Sequence, residues 1–437
     1  MKSVFKALLV LAVPGVVISS FIMFVLNFIT ISQAVLPAFR HFEDPVVLAQ
    51  RKSHWQNIAP RDSLDHLVWF LQITDLHVSE YVDGLRITQL EEFCTKTVDA
   101  IRPAVVIASG DLTDAKTNLG FGSAQREWEW KEYSRIIRET RVTERTTWLD
   151  IRGNHELTRN AETWTSYHYV HKFGPDSISF IGVDACPDPG FRRPFNFFGV
   201  LTEEDMRHLE ALAKNSRDSN VTVWFGHYPT SVISSAAPGI ANVMSGGVAY
   251  LSGHLHTLGG LLPELYAMQK SGTLELELGD WKDNRLFRLM AVDHDLFSFT
   301  DVNFNDWPMG IITNPKNVRF YAPVHEPLDR ISRSTHVRVL AFSPRGIRSV
   351  EVQLPDEKAF KPAKRVDDSP LFILPWDVSH YAVGTHTIRA KITDNGTVAV
   401  REIVHDFRHS RRGSAERVGI HSPVGADGGR GGSSLPR

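Results

Sequence analysis

Five short apolar runs in this chain stop abruptly at polar residues able to hold a metal or move a proton. LVWFLQI leads into TDLH, VVIAS into GDLTD, TWLDI into RGNHE, VTVWF into GHYP and VAYLS into GHLH. Runs of this length, rich in β-branched and aromatic residues, read as buried strands. Between them lie helical periods. Ile87, Leu90, Cys94, Val98 and Ile101 recur at helical spacing until Pro103, REWEWKEYSRII follows, and Thr202 with Asp205 forms a capping-box pattern before a third helix. Strand–helix alternation of this kind predicts an α/β layered domain. In such domains ligands gather outside the carboxyl ends of the strands, which is where all five clusters fall.

Beyond Gly272 the pattern turns to strand on strand, as in antiparallel hairpins finishing a sheet. From about Arg319, HVRVLAFS, SVEVQL, LFILPW, THTIRAKITD and VAVREIVHDF alternate with turn signals, which is the spacing of an all-β immunoglobulin-like sandwich. The chain has two cysteines, Cys94 and Cys186, both upstream of it, so the cross-sheet disulfide of antibody domains is excluded. They allow one bridge at most and are equally at home as buried free thiols. Residues 409–437, rich in Gly, Ser and Arg, are expected to be disordered.

Each cluster alone has a plain structural explanation: Asp-x-His is a common capped turn, and Gly-Asn is a turn pair. Taken together they amount to a ligand set. Asp75, His77, Asp111, Asn154, His227, His254 and His256 would bring carboxylate, amide and imidazole donors to one sheet edge, which suits a pair of transition-metal ions. Buried without such ions, so many ionisable groups would be costly.

The ordered blocks D-x-H, G-D-x-x-D, G-N-H-E, G-H and G-H-x-H resemble those of the calcineurin-like metallophosphoesterases, over roughly residues 67 to 300. The resemblance implies two sheets flanked by helices over 66–310, with the sandwich at 318–408. It also implies that Asp75, His77, Asp111 and His256 hold one metal, and that Asp111, Asn154, His227 and His254 hold the other. Asp111 then bridges two divalent or trivalent ions (Mn, Fe or Zn), and a hydroxide between them attacks phosphorus. His155 becomes a catalytic residue facing the phosphoester, with Asp114, Glu156 and Arg152 supporting the ligands. Two departures matter. Ser/Thr protein phosphatases of the family carry Arg after the second block, where this chain has Ala115, and purple acid phosphatases carry a Tyr ligand where it has Asp114. Specificity is expected from residues 117–125 and 187–198.

Ala7 to Phe39 contains no ionisable side chain, enough for a bilayer helix, so residues 7–36 are expected to form a single-pass signal anchor with Lys2 and Lys6 on the cytosolic side. A cleaved leader would be shorter. The remainder would face the lumen or the exterior, where Asn220 (before Val-Thr) and Asn395 (before Gly-Thr) are glycosylation sequons. A membrane-anchored group of the family shares this anchor–domain–sandwich order and continues with further spans, where this chain has its Gly/Arg-rich tail. The net charge of −2 leaves no whole-protein field for nucleic acid. A rival expectation is a catalytically silent, membrane-tethered scaffold that uses the same fold for interaction.

Overall fold

In the computed structural model the described residues are 58–117, 123–156, 164–187, 190, 196–262, 264–396 and 400–408. The expected anchor and the expected disordered tail lie outside them. None of their helices is long and apolar enough to cross a membrane.

The two main sheets of the phosphoesterase-like part are built from eleven strands: β1 (Leu67–Ile73), β2 (Val105–Ser109), β3 (Thr147–Ile151), β4 (Tyr167–Phe173), β5 (Asp176–Val183), β6 (Val221–Gly226), β7 (Ala249–Ser252), β8 (Leu265–Met268), β9 (Leu274–Glu277), β10 (Leu286–Asp293) and β11 (Leu296–Asn303). One sheet has the order β11-β10-β1-β2-β3, and the other β8-β9-β7-β6-β5-β4. The strands that end in the polar clusters pair in parallel within each sheet, β1 with β2, β2 with β3, and β6 with β7. The outer partners β4, β8, β10 and β11 run antiparallel. Parallel pairing sends all the carboxyl ends to one side, and antiparallel hairpins close three of the four sheet edges, β3 forming the fourth.

Side-chain alternation sets the layers. On β1, Val68 and Phe70 face the second sheet and join Ile107, Phe180, Val223 and Phe225 in one core. Leu71 and Ile73 point the other way, toward helices α1 (Leu85–Glu92) and α2 (Glu127–Glu139). Helix α1 continues through a π turn, Phe93–Thr97, into a last α turn, Val98–Ile101. Helix α3 (Glu203–Asn215) covers the second sheet through Met206 and Leu209 against Trp224. Its expected capping box is present: the Thr202 side chain accepts from the Asp205 amide and Asp205 accepts from Thr202. Cys94 and Cys186 are both free thiols.

The β-rich module packs directly on this layered body. Its first strand, Met309–Asn314, pairs with His336–Phe342 and so begins upstream of the expected start at 318. Met309, Ile311, Leu340 and Phe342 share one core with Leu71, Leu289 and Trp281, and Phe342 lies 6.1 Å from the Trp69 ring. Arg338 of the sandwich, fully buried, donates Nε to Asp293 of β10 at 2.8 Å and Nη1 to the carbonyls of Arg61 and Ser63. Burial works against the Asp293 charge, but Arg338 and His294 outweigh it and hold the carboxyl well below its ordinary value.

Breaking a buried pair by removing one partner costs about 3–5 kcal/mol. Arg338→Ala is therefore expected to lower the thermal midpoint of the whole described body in one transition. The pair's contribution is present in full above the ordinary carboxylate pKa of 3.8 and is lost as pH falls through the lower folded value. Melting curves of both proteins at neutral and acid pH check this, with the gap narrowing at low pH.

Candidate metal centre

The loops that leave β1 and β2 stay paired beyond the strands. The Asp75 amide donates to the Gly110 carbonyl at 3.0 Å, and the His77 amide to the Asp111 carbonyl at 2.9 Å. Such tight turns force the backbone into unusual regions. Five of the seven expected ligands, Asp75, His77, Asp111, His254 and His256, have left-handed φ between 46° and 82°. Each costs about 1–3 kcal/mol in a residue with a side chain, and such positions cluster where function requires them. Close approach is made possible by glycine. A Cβ on Gly153 would fall onto the Asp111 carboxylate, and one on Gly253 onto Thr74 and the Asp75 carboxylate.

All seven expected ligands meet at this edge. Asp75 Oδ1 is 2.7 Å from His256 Nε2, and its other oxygen accepts from the His254 amide at 3.0 Å. Asp111 lies between the two halves of the cluster. Its Oδ1 is 3.4 Å from His227 Nε2, and its Oδ2 is 3.5 Å from His77 Nε2. Donors of Asp75, His77, Asp111 and His256 lie within 4.8 Å of one another. On the other side, Asn154 Oδ1 is 2.9 Å from both His227 Nε2 and His254 Nδ1.

The hydrogen bonds on the far side of each ring decide whether these residues suit a cation. His227 Nδ1 lies 3.1 Å from the Ser109 carbonyl, and His254 Nε2 lies 3.0 Å from the Phe197 carbonyl. A carbonyl only accepts, so the ring nitrogen facing it carries the hydrogen. In the neutral tautomers the lone pairs of His227 Nε2 and His254 Nδ1 then face each other at 3.2 Å, next to the Asn154 oxygen. His77 repeats the pattern. Its Nδ1 is 3.2 Å from Asp114, and its buried Nε2 has no hydrogen-bond partner and points between Asp75 and Asp111. Lone pairs converging around buried carboxylates are the donor set of a cation site, so the residues fit the metals the sequence leads one to expect.

The electrostatics agree. Burial would raise the Asp111 carboxyl, yet His155, His227 and His77 hold it well below the ordinary range. Asp75 is lowered in the same way against burial, chiefly by His256. For His227 burial opposes protonation, but Asp111 and Asp75 raise it to about 9. Its neighbour His254 is pushed down to about 4 by burial and by His227. The centre thus demands positive charge but resists placing a proton on every ring.

His155 donates its amide to Asp111 Oδ1 at 3.0 Å and its Nδ1 to the Asp114 carbonyl at 2.7 Å, leaving Nε2 3.6 Å from Asp111 Oδ2. Glu156 ties the GNHE turn to the second loop: it accepts from the Gly153 amide and from the amide and hydroxyl of Thr113. Its carboxyl is raised to about 7 by burial and by Asp111. Asp114 supports His77 and also receives Ser79 and Lys116. Arg152 is directed elsewhere. It is buried and forks onto Asp184 at 2.7 and 2.9 Å, with Nη2 on the Cys186 carbonyl. Ala115, where protein phosphatases carry Arg, is buried and donates its amide to Glu129.

Several supporting residues escaped the sequence reading. Buried Asp280 lies 4.0 Å from His256 Nδ1, Glu277 accepts the Leu255 amide, and Asn196 donates to the Asn154 carbonyl. Gly279-Asp280 after β9 has the same form as the other clusters, and that signal was available in the sequence. Of the two expected specificity stretches, residues 118–122, 188–189 and 191–195 lie outside the described residues. Asn220 is partly buried, with its amide bonded to Ser177 and Asp176, whereas Asn395 is exposed.

Comparison with known proteins matches residues 68–258 to the calcineurin-like phosphoesterase family and residues 304–403 to the TMEM62 Ig-like domain. Transmembrane protein 62 of Mus musculus is 48% identical over 360 residues, covering 79% of this chain and 56% of that protein. A relative from Arabidopsis thaliana is 26% identical over 311 residues, 57% of this chain and 42% of its own length. The chain therefore spans about half the length of the curated relatives it matches. Among solved structures, a 5'-nucleotidase precursor from Thermus thermophilus is similar with a TM-score of 0.34 and 14% identity, covering 55% of this chain and 54% of that one. The chain carries a calcineurin-like phosphoesterase domain followed by an Ig-like domain of the TMEM62 type.

Proposed function

We propose that this protein is a membrane-attached, dinuclear metal-dependent hydrolase of phosphoester bonds. The observation that carries the proposal is the convergence of the lone pairs of His77, His227, His254 and Asn154 on the carboxylates of Asp75 and Asp111. Asp75, His77, Asp111 and His256 hold one ion, and Asp111, Asn154, His227 and His254 the other. When bound, two such ions activate water near neutral pH and neutralise charge on the phosphoryl oxygens. The carbonyls of Ser109 and Phe197 and the carboxylate of Asp114 orient the three rings that face them.

His155 is the catalytic residue from the protein side. With Nδ1 bonded to the Asp114 carbonyl, the protonated ring presents Nε2–H to the centre, where it hands a proton to the departing ester oxygen. Ala115 leaves the centre without the Arg of the protein phosphatases, and Arg152 is committed to Asp184, which favours a substrate other than a phosphoprotein. Membrane attachment is supported by the apolar run at 7–36 and by the name of the mouse relative. A lumenal or extracellular domain glycosylated at exposed Asn395 follows from the same placement.

His155→Ala is expected to lower turnover of a generic phosphoester by about 10²–10⁴-fold, with metal content by elemental analysis unchanged. Turnover equal to wild type would contradict the role. Gly153→Ala, which pushes a methyl group into Asp111, is expected to lose metal and turnover together, by about 10²-fold or more for a displacement of an ångström. Stopped assays alongside metal analysis of the same sample check both.

A further inference from the structure

Fifteen large hydrophobic side chains stand exposed among the described residues, and six of them lie on three segments beside the metal centre. Tyr81 and Val82, each 45% exposed, follow His77 on the loop that Ser79 ties to Asp114. Phe197 packs against His254, ring centroids 4.7 Å apart, with Phe198 beside it. Leu258 and Leu261, the latter 82% exposed, follow His256 directly. Left-handed φ at His256, Thr257 and Leu258 and a 2.8 Å bond from the Leu258 amide to the Leu255 carbonyl fix the course of that turn. Apolar surface gathered in this way marks an interaction site.

Cations accompany this apolar rim. Lys116 lies 2.9 Å from Asp114, and the Arg126 guanidinium stands 5.2 Å over the Tyr81 ring. The mouth therefore combines a phosphate-binding centre, basic side chains and an apolar margin. A single ligand that satisfies all three has a phosphate, negative charge and long apolar arms. A protein partner seated on the rim would instead cover the entrance that the substrate uses. The apolar run Ala7–Phe39 favours the same occupant. A run of that length without ionisable side chains is enough for a bilayer helix.

We infer that the substrate is a glycerophospholipid presented by a bilayer, its phosphate at the centre and its acyl side against the Tyr81, Phe198 and Leu258–Leu261 rim. The inference rests on the phosphoesterase reading and specifies its substrate class. The oxygen of water bonds to phosphorus, the ester P–O bond breaks, and the leaving alcohol oxygen takes a proton. No redox partner is involved.

The test uses the full chain with Mn, Zn or Fe, reconstituted in phosphatidylcholine vesicles. Dioleoyl phosphatidic acid is compared with glycerol 3-phosphate, and dioleoyl phosphatidylglycerol with glycerophosphoglycerol, each lipid set against its own head group without acyl chains. For at least one pair, kcat/KM for the lipid is expected to exceed that for the soluble counterpart by about tenfold or more. In the triple variant F198S/L258S/L261S this ratio is expected to fall toward one, whereas partial misfolding would lower both rates together and leave the ratio in place. Hydrolysis of the soluble esters with no lipid preference, or a ratio unmoved in the variant, overturns the lipid inference and leaves the phosphoesterase reading standing. Hydrolysis of none of the four compounds, of the phosphatidylcholine carrier or of a generic aryl phosphate overturns both.

Discussion

Asp111 is the residue on which the centre depends. Its two oxygens face His77 and His155 on one side and His227 on the other, and one of them accepts the His155 amide. A carboxylate buried this deeply is costly unless charge and hydrogen bonds compensate it. Much of the nearby architecture serves that end. Gly153 leaves space for the carboxylate, Glu156 binds the third loop to the second, and parallel pairing delivers three strands to the same edge. The second sheet contributes His227, His254 and His256 from its own parallel strands, so the centre exists only where the carboxyl ends of both sheets meet.

The sandwich domain contributes to this rigidity at a distance. Its strands share an apolar core with the outer face of the first sheet, and Arg338 reaches across to Asp293 on the strand next to β1. It is a second body fused to the sheet that carries Asp75 and Asp111 rather than one hung from a linker.

Much of the site was legible in the sequence because its signal is local. An apolar run that ends in Gly-Asp or Gly-His states both the strand and the polar tip within a few residues, and the order of the tips carries the family resemblance. The capping box at Thr202 was legible for the same reason. Other features were hidden. Strand β4, YHYVHKF, mixes half-exposed polar and aromatic residues and lacks a clean period. The commitment of Arg152 to Asp184, and of Arg338 to Asp293, depends on partners 32 and 45 residues away. The left-handed ligand positions were also invisible, since Asp and His carry no such requirement as residue types. Asp280 has the Gly-Asp form of the others, but it lies within a succession of strand-like runs whose pattern is that of antiparallel hairpins.

The central claim is that the cluster around Asp111 is a dinuclear metal site, and metal stoichiometry tests it most directly. Elemental analysis of the purified full chain after equilibration with Mn, Zn or Fe and removal of free metal should give about two ions per chain. The same measurement on Asp111→Asn should give a marked loss. A wild-type chain that retains no stoichiometric metal would contradict the account.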